Sequence, residues 1–130
     1  MRMILASKGI KKSEKQLVKL LCTNKIRGTW HKNFSVAAKK LRLTYKVESN
    51  SSILEIKKFM KINYTVIVCY YIPWEKTDHY SVVKKIDKEH IYFYDPWFGE
   101  NHKYKISHFL RVWKSYSRYE NEKRWLFAVK

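Results

Sequence analysis

The feature that most constrains this chain is the run Tyr64 to Ile72 (YTVIVCYYI), in which β-branched and aromatic residues succeed one another without a charged or turn-forming break. An amphipathic helix repeats its apolar residues every three or four positions, and a half-buried strand repeats them at every second one. A short continuous run reads instead as a central strand covered on both faces. The period of the sequence changes at this run: residues before it carry a helical spacing, and residues after it alternate between strands and turns.

Upstream, Met1 to Lys8 reads as the tail of a helix, with Met1, Ile4, Leu5 and Lys8 at helical spacing and Gly9 as its stop. Ser13 with Gln16 forms a capping box for a second helix, whose stripe is Leu17, Leu20 and Leu21 and which ends near Cys22. Asn33 caps a third helix running through Ala37, Ala38 and Leu41, and Thr44 to Val47 is extended. Ser52 with Glu55 is another capping box, for Ile53 to Met60. Downstream, Tyr80 to Ile86 and His90 to Tyr94 form an antiparallel hairpin closed by Asp87, Lys88 and Glu89. Pro96 and Gly99 break the chain, and beyond them come a short strand about Lys103 to Lys105, a helix capped by Ser107 and running to Trp113, and a closing strand Trp125 to Val129. Helices first and an antiparallel sheet second predict an α+β domain.

At 130 residues the chain is one domain's worth, and with 45% hydrophobic and 16% aromatic residues it has the apolar surface to close a core. No apolar stretch approaches the ~20 residues of a membrane span, and no export signal is visible, which predicts a cytoplasmic setting with reduced thiols. Lys and Arg number 28 against 11 acids, a net charge of +17. Such a balance invites a nucleic-acid or other polyanionic partner. The basic residues are nevertheless spread as pairs and singles, mostly Lys, rather than gathered into an arm. Cys22 and Cys69 show no CxxC pattern, and His31, His90, His102 and His108 share no ligand spacing, so no metal and no cofactor are predicted and these histidines read as surface or capping residues.

The chemistry gathers in Asp78 to Gly99 (DHYSVVKKIDKEHIYFYDPWFG). His79 stands at the start of one strand of the hairpin and Asp95 at the end of its partner, so both fall at one edge of the sheet. An imidazole held by a carboxylate is what a thiol or hydroxyl nucleophile needs as its base. Each residue also has a plainer reading: a solvated histidine at a strand edge, and an aspartate before proline that opens a turn by bonding its own backbone. Trp97, Phe98 and Trp74 flank this edge as candidates to line a groove for an extended substrate, or equally to pack against their own core.

The segments GI..SE..L..LL.T...GT......AAKKL.L (Gly9 to Leu43), SILEIKKFM before a VIV strand, and HYSVV..I....IYFYDPWFG....Y.ISHFL..W together resemble the C39 family of papain-like cysteine peptidases, which cut leader peptides after a double glycine, alone or at the front of peptide-exporting ABC transporters. The resemblance covers essentially the whole chain. It implies a papain-like fold with helices packed on an antiparallel sheet, His79 as general base, Asp95 as its orienter, an extended leader peptide as substrate and an ABC transporter or other membrane partner. It also implies a nucleophilic Cys capping the first helix in a CGPA-like motif that runs into a sequence like RMIL, with an oxyanion-hole Gln just before it. The chain starts at MRMILASKGI, after that point, so residues 1–130 are expected to be a single C39-like domain without the start of its first helix. Neither Cys22, at a helix C-terminus, nor Cys69, inside the central strand, suits the role of nucleophile, and Gln16 is committed to a capping box. Three expectations result: a peptidase whose Cys lies upstream, with the 130 residues inactive alone; a C39-like domain that holds peptides without cutting them; or a basic domain that binds nucleic acid.

Overall fold

The computed structural model describes residues 31–95, 98–99, 101–115 and 122–130. In chain order its elements are α1 (His31–Lys40), β1 (Tyr45–Glu48), α2 (Ile53–Lys61), β2 (Thr65–Ile72), β3 (Thr77–Ile86), β4 (His90–Tyr94), β5 (Lys103–Lys105), α3 (Ile106–Val112) and β6 (Leu126–Val129). The two helices read before residue 30 lie outside the described residues. The backbone divides into two compact units, Met1–Tyr45 with Val129–Lys130, and Lys46–Ala128. In the first, α1 buries His31, Phe34, Ala37 and Ala38, and the backbones of Thr44 and Lys130 bond each other in both directions at 3.1 and 2.9 Å. All of the site lies in the second.

The apolar run behaves as its composition requires. Val66, Ile67, Val68, Cys69 and Tyr70 are each at most 2% exposed, so side chains on both faces of β2 are buried. The sheet order is β1-β6-β2-β3-β4-β5, with β2–β3, β3–β4 and β4–β5 antiparallel. Val66, Val68, Tyr70 and Ile72 share one face of β2 and join a core with Val83, Ile91 and Phe93 from the neighbouring strands, Ile56 of α2, and Phe109, Val112 and Trp113 from α3 and its end. Each such side chain taken from water contributes roughly 1.5–3 kcal/mol.

Local chemistry sets where the elements stop. The Ser52 hydroxyl accepts from Glu55 N–H at 3.2 Å, the capping contact expected, and α2 ends where Asn63 turns left-handed at φ 70°. The helix expected to be capped by Ser107 instead begins at Ile106, with Lys105 as N-cap and no side-chain cap bond. Packing fixes it: Phe109 stacks on Trp113 at 4.9 Å between centroids, and Trp113 Nε1–H donates to the Trp125 carbonyl at 2.8 Å. Asn33, expected as a cap, is the third residue of α1. His31 is another correction, since it is 3% exposed rather than on the surface.

β3 starts at Thr77, three residues before the strand expected at Tyr80, and this places His79 inside the ladder opposite Tyr70. The β3–β4 hairpin closes as read: Asp87 Oδ1 accepts from the N–H groups of Glu89 and His90, and these bonds, with one from Tyr92, hold the Asp87 carboxyl down at about 2. Between Lys85↔Tyr92 and Val83↔Phe93 the register shifts, with Lys84 as the extra residue of a β-bulge. No helix among the described residues is long and apolar enough to cross a membrane.

Two adjacent serines give opposite tests of this packing. Ser51 is 1% exposed and its hydroxyl has no hydrogen-bond partner among the described residues, whereas Ser52 caps α2. Ser52→Ala is expected to lower the unfolding free energy by about 1 kcal/mol. Ser51→Ala, which removes a buried unpaired polar group, is expected to be neutral or to stabilise by up to ~1 kcal/mol. Urea midpoints of the two variants check the signs.

Candidate active site

Asp95 comes directly after the last residue of β4, and its two carboxylate oxygens have separate duties. Oδ1 accepts the Phe98 N–H at 3.1 Å while the Asp95 carbonyl accepts the Gly99 N–H at 2.9 Å, closing a tight turn in which Gly99 adopts φ +89°, a conformation open to glycine. Oδ2 accepts from His79 Nε2 at 2.5 Å and from the Ser81 hydroxyl at 2.5 Å. The turn-opening and imidazole-holding readings of this aspartate are therefore both realised, one on each oxygen.

The surroundings bury the charge without stranding it. The Asp95 side chain is 0% exposed and that of His79 is 12% exposed. Burial raises the Asp95 pKa, but the hydrogen bonds from Ser81, His79 and the Phe98 N–H outweigh it and hold the carboxyl below its ordinary value, so it is ionised at neutral pH. Bonding His79 through Nε2 places that proton toward the ionised Asp95, which makes Nδ1 the acceptor nitrogen of the neutral ring.

Behind this pair lies a second tier. The Tyr70 hydroxyl is 2.8 Å from Ser81 Oγ, 3.0 Å from His102 Nε2 and 3.5 Å from Asp95 Oδ2. Burial pushes the Tyr70 pKa far up, keeping it a phenol, and burial pushes that of His102 below its ordinary value, although Asp95 opposes this. Phe98 ties the tiers together: its ring stacks on His102 at 4.5 Å and meets His79 edge-on at 5.4 Å.

The structure thus brings His79, Asp95 and Phe98 together. Trp74, 67% exposed, stands on the β2–β3 turn beyond the Tyr70↔His79, Tyr71↔Asp78 and Ile72↔Thr77 pairs. Trp97 lies outside the described residues. His102, expected as a surface or capping residue, is partly buried and bonded to Tyr70. Sequence reasoning missed Ser81, Tyr70 and His102. Two signals were available: Ser81 lies two residues from His79 and so on its face of the strand, and a tyrosine inside a buried run needs a partner for its hydroxyl. Cys69 pairs with Tyr80, one residue out of phase with Tyr70 and His79, so the pleat turns it to the opposite face of the sheet.

The pKa directions fix how stability varies with pH. Asp95, with a folded pKa below its ordinary 3.8, contributes stability that is present above pH ~4 and lost as pH falls through its folded value. His102, lowered from 6.5, stays neutral in the fold where the unfolded chain takes up a proton, so it costs stability as pH falls through 6.5. The unfolding free energy should drop between about pH 7.5 and 5.5, and His102→Gln should shrink that drop. An unchanged pH dependence in urea titrations of the variant would remove the assignment.

Residues 1–121 match the sequence model of the Peptidase C39 family. Among solved structures, the chain is similar to the peptidase domain of Streptococcus ComA, described as a bi-functional ABC transporter involved in a quorum-sensing pathway: identity is 19% and the TM-score 0.73, over 98% of this chain and 85% of that one. It is also similar to a C39-like peptidase from Bacillus anthracis, with 16% identity and a TM-score of 0.73, over 99% of this chain and 84% of that one. No curated protein matches it in sequence. The structural likeness identifies the fold, α+β and papain-like, with helices packed on an antiparallel sheet. With nearly its whole length matched by the family model, the chain belongs to the Peptidase C39 family.

Proposed function

We propose that this domain carries the base half of a C39-type thiol peptidase, with His79 as general base and Asp95 as its orienting carboxylate. The observation that carries the reading is the 2.5 Å contact between His79 Nε2 and a carboxylate with no exposed side-chain surface. In this scheme Nδ1 takes the proton of a thiol, and the thiolate attacks the scissile carbonyl carbon. The imidazolium returns the proton to the departing amine, and Nδ1 then deprotonates the water that hydrolyses the thioester. Asp95 stays ionised throughout, fixing the tautomer and stabilising the imidazolium. Phe98, beside His79, and Trp97 and Trp74 are proposed to contact an extended peptide of the double-glycine leader type. The ABC-transporter context of the Streptococcus relative supports a transporter as partner.

The nucleophile is assigned to neither cysteine of the chain, because Cys69 faces the other side of the sheet and Cys22 reads as a helix C-terminus. In the C39 pattern it caps the first helix. That same observation favours a second reading, in which the 130 residues by themselves bind an extended peptide without cutting it.

Cleavage of a double-glycine leader peptide should appear when the chain is made with the native codons preceding Met1. His79→Ala should then lower kcat/KM by about 10²–10⁴-fold, and Asp95→Asn by up to about 10⁴-fold. No cleavage by that longer chain, or cleavage indifferent to His79→Ala, would sink the peptidase reading. Cleavage by residues 1–130 that Cys69→Ser abolishes would sink the assignment of the thiol.

A further inference from the structure

The four polar groups behind His79 share fewer protons than their contacts suggest, and counting the protons fixes their order. Asp95 is ionised, so it brings no proton to Oδ2. A hydroxyl has one proton to give. The 2.5 Å contact between Ser81 Oγ and Asp95 Oδ2 therefore uses the Ser81 proton. Ser81 then has none left for the 2.8 Å contact with Tyr70, which must be made by the Tyr70 proton. The direct Tyr70–Asp95 separation of 3.5 Å is at the limit of a hydrogen bond and cannot compete for that proton. With the Tyr70 proton committed to Ser81, the 3.0 Å contact between Tyr70 and His102 Nε2 needs a proton on the histidine. Every other arrangement leaves one oxygen–oxygen or oxygen–nitrogen contact with lone pairs face to face.

We propose that His102, Tyr70 and Ser81 form a one-way hydrogen-bond chain, His102 Nε2–H to Tyr70 OH to Ser81 OH to Asp95 Oδ2, and that all three are positioning residues for the His79 base. The chain and His79 converge on the same carboxylate oxygen from two sides. Each donor polarises the next, so the last hydroxyl draws carboxylate charge away from the imidazole and pins Oδ2 in the plane where His79 needs it. Among the described residues, the charged and titratable groups facing His102 are Tyr70 on β2, His79 on β3, Asp95 after β4 and Tyr104 on β5, whose ring is 4.8 Å away. Phe98, stacked on His102 and giving its N–H to Asp95 Oδ1, locks the far end of the chain to the near end.

The role of the chain rests on His79 acting as proposed above, but its test needs no cleavage. Long-range proton–nitrogen correlation spectra of the ¹⁵N-labelled 130-residue chain read the imidazole tautomers directly. Neutral His102 is expected to carry its proton on Nε2, and a proton on Nδ1 overturns the proposal without any variant. The same spectra recorded from about pH 5 to 8 give the His79 midpoint. Ser81→Ala strips a donor from Asp95, concentrates its charge on His79 and should raise that midpoint by roughly half a pH unit or more. Tyr70→Phe and His102→Phe should raise it by less, and His102→Gln, whose side-chain amide can donate in place of Nε2–H, should return it to the wild-type value. A midpoint that stays put or falls in Ser81→Ala, Tyr70→Phe and His102→Phe overturns the chain. A longer protein that cuts no leader peptide would defeat the peptidase reading and leave the order of protons standing.

Discussion

The structure around the site depends on keeping one carboxylate ionised out of water. A buried charge is tolerated only if its lone pairs are matched by donors, and removing one partner leaves a penalty larger than the bond was worth. Asp95 meets that condition with two donors from β3, His79 and Ser81, and with a main-chain N–H from its own turn, while Tyr70 on β2 acts on it through Ser81. Strand pairing delivers the side chains and the turn delivers the amide. The sheet is for this reason part of the electrostatics of the site as well as its scaffold.

The sequence disclosed those features in which a single segment decides the outcome. The YTVIVCYYI run forms the central strand, Ser52 and Glu55 cap α2, and the DKE turn closes the hairpin, because each depends on residues within a few positions of one another. His79 and Asp95 could be placed at one sheet edge from hairpin symmetry alone. The rest depends on contacts distant in sequence. β3 extends back to Thr77 because β2 offers it partners there. Lys105 rather than Ser107 heads α3 because aromatic packing fixes the helix more strongly than a cap would. His102 has no local signal at all, since its partner Tyr70 lies 32 residues away.

Part of the large positive charge has a local use. Lys85 and Lys103 place their ammonium groups 4.5 and 5.7 Å from the centre of the Tyr92 ring, and Lys84 lies 5.4 Å from that of Tyr94. Such contacts contribute about 0.5–1 kcal/mol each at exposed positions and turn cations into packing groups along β3, β4 and β5. Charge placed in this way reinforces strand pairing.

The bulge at Lys84 has a consequence for how this hairpin can change over evolutionary time. Continued from Ile86↔Ile91 without the extra residue, the ladder would set Val82 against Asp95; with it, Val82 pairs with Tyr94 and Ser81 meets the carboxylate. One supernumerary residue thus keeps Ile86 and Val83 on the core face at one end while turning Ser81 and His79 toward Asp95 at the other. The number of residues in each strand, counted with the bulge, decides which face His79 and Asp95 take. The closing loop can lengthen freely, but an insertion or deletion of a single residue turns the histidine, if it falls in β3, or the aspartate, if it falls in β4, to the opposite side of the sheet unless a second bulge restores the count.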